Sequence, residues 1–412
     1  MYFFYAVLSN LVVIISPIFF IYRILKGKED SKRFQEKICI YSKKKSINKI
    51  WIHAASIGEL MSVIPVIKRF EKDKSINSII VTTTTTSSAK IFSKLKFKKS
   101  FHIYFPLDNN FLTKKFLNYW QPGVAIFVES EIWPNMYKNL EIKKIPIIIL
   151  NARIIKKTIK RWKNFPNFAR KVFGKITLAL PSNLETYKYL KMLNVKNIKV
   201  AGNLKYYGGE NIKNIDNRFL INKFKKFKIW CAASTHKSEE IFLGKLHKNL
   251  KKKNKKLITI IIPRHVNRSS EIIDELNKLG LKTITHSSNQ KIKTDTDIYL
   301  VDSYGISSKF YSLTNITFVG GSLVMHGGQN PLEPARFGNF IINGPHVNNF
   351  REIYSHLVNL KISSTTSNSL KMEKIIIKKL NNKNNNQNIK KINKIGKQIL
   401  DKNLHYINKY LI

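Results

Sequence analysis

Glu59 stands just past an apolar run, Lys49 to Ala55, in the order Ser56-Ile57-Gly58-Glu59. That order reads as the junction between a strand and a helix. A carboxylate there suits a general base on a cleft floor, and it equally suits plain complementation of the helix dipole. Glu129 and Glu131 follow a second run, Val124 to Val128, and lead into Trp133-Pro134. Side chains at i and i+2 point the same way if the strand continues, offering an acid or an electrostatic group, whereas a turn closed by Pro134 would separate them. Lys205, in Gly202-Asn203-Leu204-Lys205, ends another short run. Arg264, in Pro263-Arg264-His265, is suited to bidentate phosphate contact, and Ser234-Thr235-His236 occupies the matching position one strand earlier.

The densest stretch is Phe318 to Ile353. A β-prone run, Ile316 to Val319, breaks into Gly320-Gly321-Ser322, and Gly327-Gly328 then leads to Asn330-Pro331-Leu332-Glu333. Asparagine before proline predicts a helix start at Pro331. A glycine-rich turn feeding a helix offers free N–H groups to a phosphate, and Glu333 in the first turn is placed to accept ribose hydroxyls. An ordinary strand–turn–helix junction has the same residues. Neither the histidines nor the acids show metal-ligand spacing, and the G-x-S-x-G elbow, the Walker A loop and G-x-G-x-x-G are absent from the sequence.

These positions need strands to present them. Expected strands in the first half are Lys49 to Ala55, Ile79 to Thr83, Ile103 to Phe105, Val124 to Val128, Pro146 to Leu150, Ile176 to Leu180 and Lys199 to Ala201. After a polar linker, GGENIKNIDNR from 208, the alternation restarts at Ile229 to Ala232, Leu257 to Ile262, Thr283 to Thr285, Ile298 to Val301, Ile316 to Val319 and Asn339 to Ile342. Strands alternating with helical runs imply parallel βαβ units with ligands at strand C-termini. The expected fold class is α/β: two Rossmann-like doubly wound domains with a cleft between them, and an N-terminal membrane-anchor helix. The boundaries are 1–35 for the anchor and its basic flank, 36–207 and 208–380 for the two domains, and 381–412 for a low-complexity loop (NNKNNNQN) and a C-terminal helix.

Hydrophobic residues at 43% and aromatics at 11% of 412 residues support real cores and exclude a disordered chain. Two distant cysteines exclude a disulfide framework or a zinc site. The net charge of +48 is spread along the whole chain rather than gathered in a nucleic-acid module, so it reads as a drift in residue usage that still favours an anionic membrane surface. Residues 1–22 carry no charged side chain, and Arg23, Lys26, Lys28, Lys32 and Arg33 follow them. A span takes about 20 apolar residues, and the basic flank puts the bulk of the chain on the cytoplasmic side of an inner membrane.

Taken together, the chain resembles the bacterial Kdo (3-deoxy-D-manno-octulosonate) transferases of lipopolysaccharide synthesis. The resemblance is carried by the anchor with Lys26 to Asp30, then WIHAASIGE at 51–59, VESEIWPN at 128–135, NARI at 151–154 and GNLK at 202–205. It continues with ASTHKSEE at 233–240, IIPRH at 261–265, FVGGSL at 318–323, NPLEP at 330–334 and NGPHVNNF at 343–350. It implies a GT-B glycosyltransferase that moves Kdo from CMP-Kdo onto a lipid A precursor (lipid IVA), inverts the anomeric centre, and requires neither metal nor cofactor. By position, Glu59 would accept the proton of the lipid hydroxyl, and Glu129 and Lys205 would stabilise the transition state. Pro263, Arg264, Tyr304, Gly305, Ile306, Asn330, Pro331, Leu332 and Glu333 would hold CMP. Three residues depart from the family pattern: Ile306 replaces an acid, His326 an arginine and Gln329 a histidine. The competing expectations are a GT-B enzyme for another nucleotide sugar and a non-catalytic binder of anionic lipid.

Overall fold

A computed structural model describes residues 1–42, 48–208, 216–380 and 386–411. Most of the linker reading, at 209–215, and residues 381–385 of the asparagine-rich run lie outside the described residues. The chain forms two compact units, Met1–Tyr207 with Gly396–Ile412, and Gly208–Ile395.

In the first unit the strands are β1 (Asn48–His53), β2 (Ile79–Thr83), β3 (Ser100–Tyr104), β4 (Pro122–Val128), β5 (Ile147–Ala152) and β6 (Leu178–Pro181). They form one sheet in the order β3-β2-β1-β4-β5-β6. Every pairing is parallel. The sheet explains the apolar runs, since a parallel strand covered on both faces has no solvent side to keep polar. One core lies on each face, around Trp51, Phe116, Trp120 and Phe127 on one side and Ile52, Leu60, Val63, Ile67 and Phe70 on the other. Leu60, Val63, Ile67 and Phe70 form one stripe of the helix Ile57–Lys72, and each full burial contributes about 1.5–3 kcal/mol. That stripe fixes the helix, and so the position of Glu59 at its start.

The expected strand at 199–201 does not form. A single parallel bridge, Ala179 to Ile198, stands in its place, because the chain leaves the sheet edge for the short helix Leu204–Tyr206. The final helix, Asn386–Asn408, begins inside the asparagine-rich run read as loop, and its later turns bury Leu400 and Ile407 in the first unit's core.

The second unit contains β7 (Lys228–Thr235), β8 (Leu257–Pro263), β9 (Thr283–Thr285), β10 (Ile298–Leu300), β11 (Ile316–Val319), β12 (Phe340–Asn343) and β13 (Ser363–Thr365). Their order is β13-β12-β11-β7-β8-β10-β9, again all parallel. The strand order reverses between β1 and β4 in the first sheet and between β7 and β11 in the second. Such switch points open a crevice at the strand C-termini, where doubly wound folds bind ligands. β13, an SST segment, carries no apolar signal that would have revealed it.

The N-terminal helix, Tyr2–Leu25, is long and apolar enough to cross a membrane, with mean hydropathy 2.2 over its best window. One side of it is docked on the first unit. Tyr5 donates to Asp108 at 2.7 Å, Asn109 donates to Asn10 at 2.5 Å, and the Tyr2 ring meets Phe168 edge-on at 5.0 Å. Phe3, Phe4, Leu8, Ile14 and Ile18 on the other side are exposed.

Candidate functional site

The site residues fall into two groups, one at the switch point of each sheet. In the first unit, Ser56 caps the helix Ile57–Lys72 and its hydroxyl accepts from the Glu59 N–H at 3.3 Å. The Glu59 side chain turns back, accepting from the Ala55 N–H at 2.7 Å and the Ser56 hydroxyl at 3.1 Å. This is a reciprocal cap, so the dipole reading holds. The carboxyl is also half-buried, and burial first, then the nearby charges of Glu131 and Glu129, push its pKa up to about 7 against the opposing Ala55 and Ser56 hydrogen bonds. A base poised near neutrality is what proton removal at neutral pH requires.

β4 does not continue through the two acids. Glu129 takes the left-handed conformation, φ 59°, and the chain turns before Pro134 opens the helix Pro134–Ile142. The two carboxylates thus go to different partners. Glu129, 9% exposed, pairs with Lys205 Nζ at 2.6 Å. Asn151, also left-handed at φ 54°, approaches Glu129 with its amide nitrogen at 3.5 Å and uses its amide oxygen to accept the Leu204 N–H at 3.0 Å. It thereby positions the segment that carries Lys205. Glu131 accepts from Trp133 Nε1 at 3.0 Å and meets His53 Nε2 at 3.2 Å. Glu59, Glu129 and Lys205 are brought to one end of one sheet. His53 was not singled out from the sequence, because an isolated histidine at a strand end carries no signal of its own.

In the second unit the glycine turn does not offer free N–H groups. The N–H groups of Gly321, Ser322 and Leu323 donate to the buried Glu239 carboxylate at 2.8, 3.0 and 2.9 Å, and the His236 N–H joins them at 3.0 Å. The sequence already holds its own anion there. Gly320 must be glycine because a Cβ would meet the Ser234 carbonyl oxygen at 2.3 Å. The helix after Asn330-Pro331 spans only Leu332–Arg336, with the Asn330 side chain accepting the Leu332 N–H at 3.1 Å.

The remaining residues follow strands β8, β10 and β11 of the second sheet. The Arg264 N–H donates to the Thr235 carbonyl at 3.0 Å, tying the β8 end to the β7 end. Tyr304, 68% exposed, accepts the Val266 N–H at 3.3 Å, and Gly305 follows with φ 82°. Desolvation raises the pKa of the Glu333 carboxyl, and the guanidinium groups of Arg336 and Arg264 pull it back. Pro263 is buried at the end of β8, and Pro331 and Leu332 are buried beside Glu333. Ile306 packs its side chain against the core around Phe310 and Tyr311. His326 stacks on His236 with ring centroids 4.3 Å apart, and Gln329 Nε2 lies 3.2 Å from His236 Nε2. An amide nitrogen only donates, so His236 Nε2 accepts. Burial, then His326, His265, Arg264 and Arg268, hold the His236 pKa down at about 4, so the ring is neutral at pH 7. Two of the three departures thus act on the same imidazole. Among the described residues no group of three or more His, Cys, Asp or Glu is placed to hold a metal.

Comparison with known proteins adds the family. Residues 32–207 match the model of the 3-deoxy-D-manno-octulosonic-acid transferases (kdotransferases). A 3-deoxy-D-manno-octulosonic acid transferase of Haemophilus influenzae is 34% identical, over 82% of this chain and 81% of its own length. One from Rickettsia bellii is 32% identical, over 96% and 95%. Among solved structures, UDP-GlcNAc 2-epimerase from Neisseria meningitidis matches with TM-score 0.56 at 14% identity, covering 87% of this chain and 100% of that one, a likeness of fold alone. Two doubly wound units in one chain make the fold α/β of the GT-B type. The chain belongs to the 3-deoxy-D-manno-octulosonic-acid transferase family, and it is a glycosyltransferase.

Proposed function

We propose that the chain transfers Kdo from CMP-Kdo to a hydroxyl of lipid IVA with inversion, and that Glu59 is the general base. In this reaction the acceptor oxygen bonds to the anomeric carbon as the bond from that carbon to the CMP phosphate oxygen breaks. The hydroxyl proton passes to Glu59, and CMP leaves with the bonding electron pair. The observation that carries the reading is the state of Glu59: held at a switch point by two hydrogen bonds, facing two further carboxylates, and poised at about pH 7. Lys205, paired with Glu129, supplies a fixed cation for charge that develops on the donor. In the second unit, Arg264 and the neutral His236 line the strand ends expected to hold CMP, with Tyr304, Gly305, Ile306 and Asn330 to Glu333 around them. Ile306 is turned to the core, which suits a backbone contact there and makes the loss of an acid tolerable.

The exposed apolar side of the N-terminal helix and the basic residues after it support placement at the cytoplasmic face of an anionic inner membrane, where the lipid acceptor resides. The test is transfer of labelled Kdo from CMP-Kdo to lipid IVA by the full-length protein. Glu59→Gln, which keeps the shape of the cap, should lose about 10²–10⁴-fold in rate. Arg264→Ala should weaken CMP binding by about tenfold or more, as the loss of a charge-assisted contact requires. Unchanged transfer by Glu59→Gln would remove the base assignment. Tighter binding of UDP or GDP than of CMP would favour a different nucleotide sugar.

A further inference from the structure

Glu131 has no part in the reaction as described, yet it is the most closely held acid near Glu59. The hold begins deep in the sheet. His53 ends β1 and Thr82 is its register partner on β2. The Trp51 indole N–H, a donor only, bonds to Thr82 Oγ1 at 3.0 Å, and His53 Nδ1 lies 2.9 Å from the same oxygen. A hydroxyl that accepts from Trp51 can give its own hydrogen to Nδ1, an arrangement in which Nε2 donates to Glu131. The imidazole is fully buried and stacks on Phe105 with centroids 3.8 Å apart, so it cannot swing away. Trp133 Nε1 gives Glu131 a second donor on the same oxygen, Oε2. The Tyr137 hydroxyl pins the Glu131 backbone carbonyl at 2.9 Å. A surface acid needs none of this.

Glu59, the carboxylates acting on it and their partners come from four segments. The helix Ile57–Lys72 contributes Glu59 itself. The segment after β4 contributes Glu129, paired with Lys205 from the segment after Gly202, and Glu131, paired with His53 from β1. Of the two neighbouring acids, Glu129 is paired with a lysine and Glu131 with an imidazole and an indole. Glu131 Oε2 sits on the His53 ring while Glu59 Oε2 accepts from Ala55, two residues further along the same segment, and Glu131 stands ahead of Glu129 among the charges that raise the Glu59 pKa.

We propose that His53 and Glu131 are a positioning pair for the reaction: the imidazole and the Trp133 indole hold the Glu131 carboxylate at the strand end that also holds Glu59, and the held carboxylate tunes Glu59 as it takes up the acceptor's proton. The inference rests on Glu59 being the base. It assigns Glu131 no contact with substrate.

The experiment is the pH profile of kcat/KM for Kdo transfer by the full-length protein, from acid to alkaline pH, with thermal melts alongside. Removing the charge in Glu131→Gln lowers the proton affinity of Glu59, so the acidic limb should move to lower pH by about half a unit to one unit. The limb's position is read whatever the height of the plateau. His53→Phe should move it the same way, and His53→Gln, whose amide nitrogen reaches the place of Nε2, should return it to the wild-type position. An unmoved or raised limb in Glu131→Gln, or an unmoved limb with a changed KM, overturns the proposal. If Glu131→Gln does not fold, Trp133→Phe removes one donor and keeps a ring, and an unmoved limb there overturns it equally. A wild-type acidic limb surviving in Glu59→Gln is a different failure, that of the base assignment itself.

Discussion

The first strand of each sheet is followed by a helix with a glutamate in its first turn, Glu59 after β1 and Glu239 after β7. Each sits at the switch point of its sheet and folds back toward a loop N–H. Their fates are opposite. Glu239 is 1% exposed and satisfied by four backbone N–H groups, three of them from the glycine turn after β11. Glu59 has one backbone N–H and one hydroxyl, remains half-buried, and faces two like charges. Position in the fold therefore does not decide which acid is structural and which can do chemistry. The inventory of donors does: an acid saturated with N–H groups has no lone pair to offer, and an under-supplied acid among other acids binds a proton more tightly and can take one up near neutrality.

The comparison can be broken most forcefully at Glu239. Glu239→Ala strips four N–H groups of their partner, and at about 1–3 kcal/mol for each group left buried the cost should reach several kcal/mol. Thermal melting should show the second unit unfolding first, with CMP binding lost. A Tm within a degree or two of wild type would mean that the turn keeps its shape without its internal anion. A smaller effect is expected from Ser56→Ala, which removes the cap and one of the two donors to Glu59. Stability should fall by about 1 kcal/mol, and the acidic limb of kcat/KM should move up by a few tenths of a unit, since the lost hydrogen bond favoured the charged form. The smallest effect concerns linkage. The folded pKa of Glu59 lies near 7, above the unfolded value, so its contribution to stability is full below about pH 4.3 and is lost as pH rises through 7. Glu59→Gln cannot ionise, and its Tm relative to wild type should improve between pH 5 and pH 8. A constant difference would place the Glu59 carboxyl in ordinary solvent.

Much of the fold was legible because parallel strands are buried on both faces. Leu257 to Ile262 is apolar at every position but Thr259 for that reason, and every residue of β8 is buried. β13 was illegible for the converse reason: at the sheet edge, Ser363 to Thr365 needs only its backbone. Among the candidate residues, Glu59 and Glu129 stand out because each follows a strand, whereas Lys205 follows only an isolated bridge and was reached through the family resemblance. The destination of Glu131 could not be read off, since it depends on His53 and Thr82 meeting across β1 and β2, a pairing that the sheet makes and no local spacing encodes. The phosphate reading of Gly320-Gly321-Ser322 failed on the same kind of ground. Local sequence shows that N–H groups are available, but not that a glutamate some eighty positions earlier has taken them.

The left-handed backbone at Glu129 carries one last implication. A residue with a side chain held there costs on the order of 1 kcal/mol that glycine would not. Robustness alone would favour glycine there, and the side chain that stands in its place is the one paired with Lys205 at 2.6 Å. The enzyme is a little less durable than its scaffold permits, and the shortfall is concentrated at the bend that aims its charged pair.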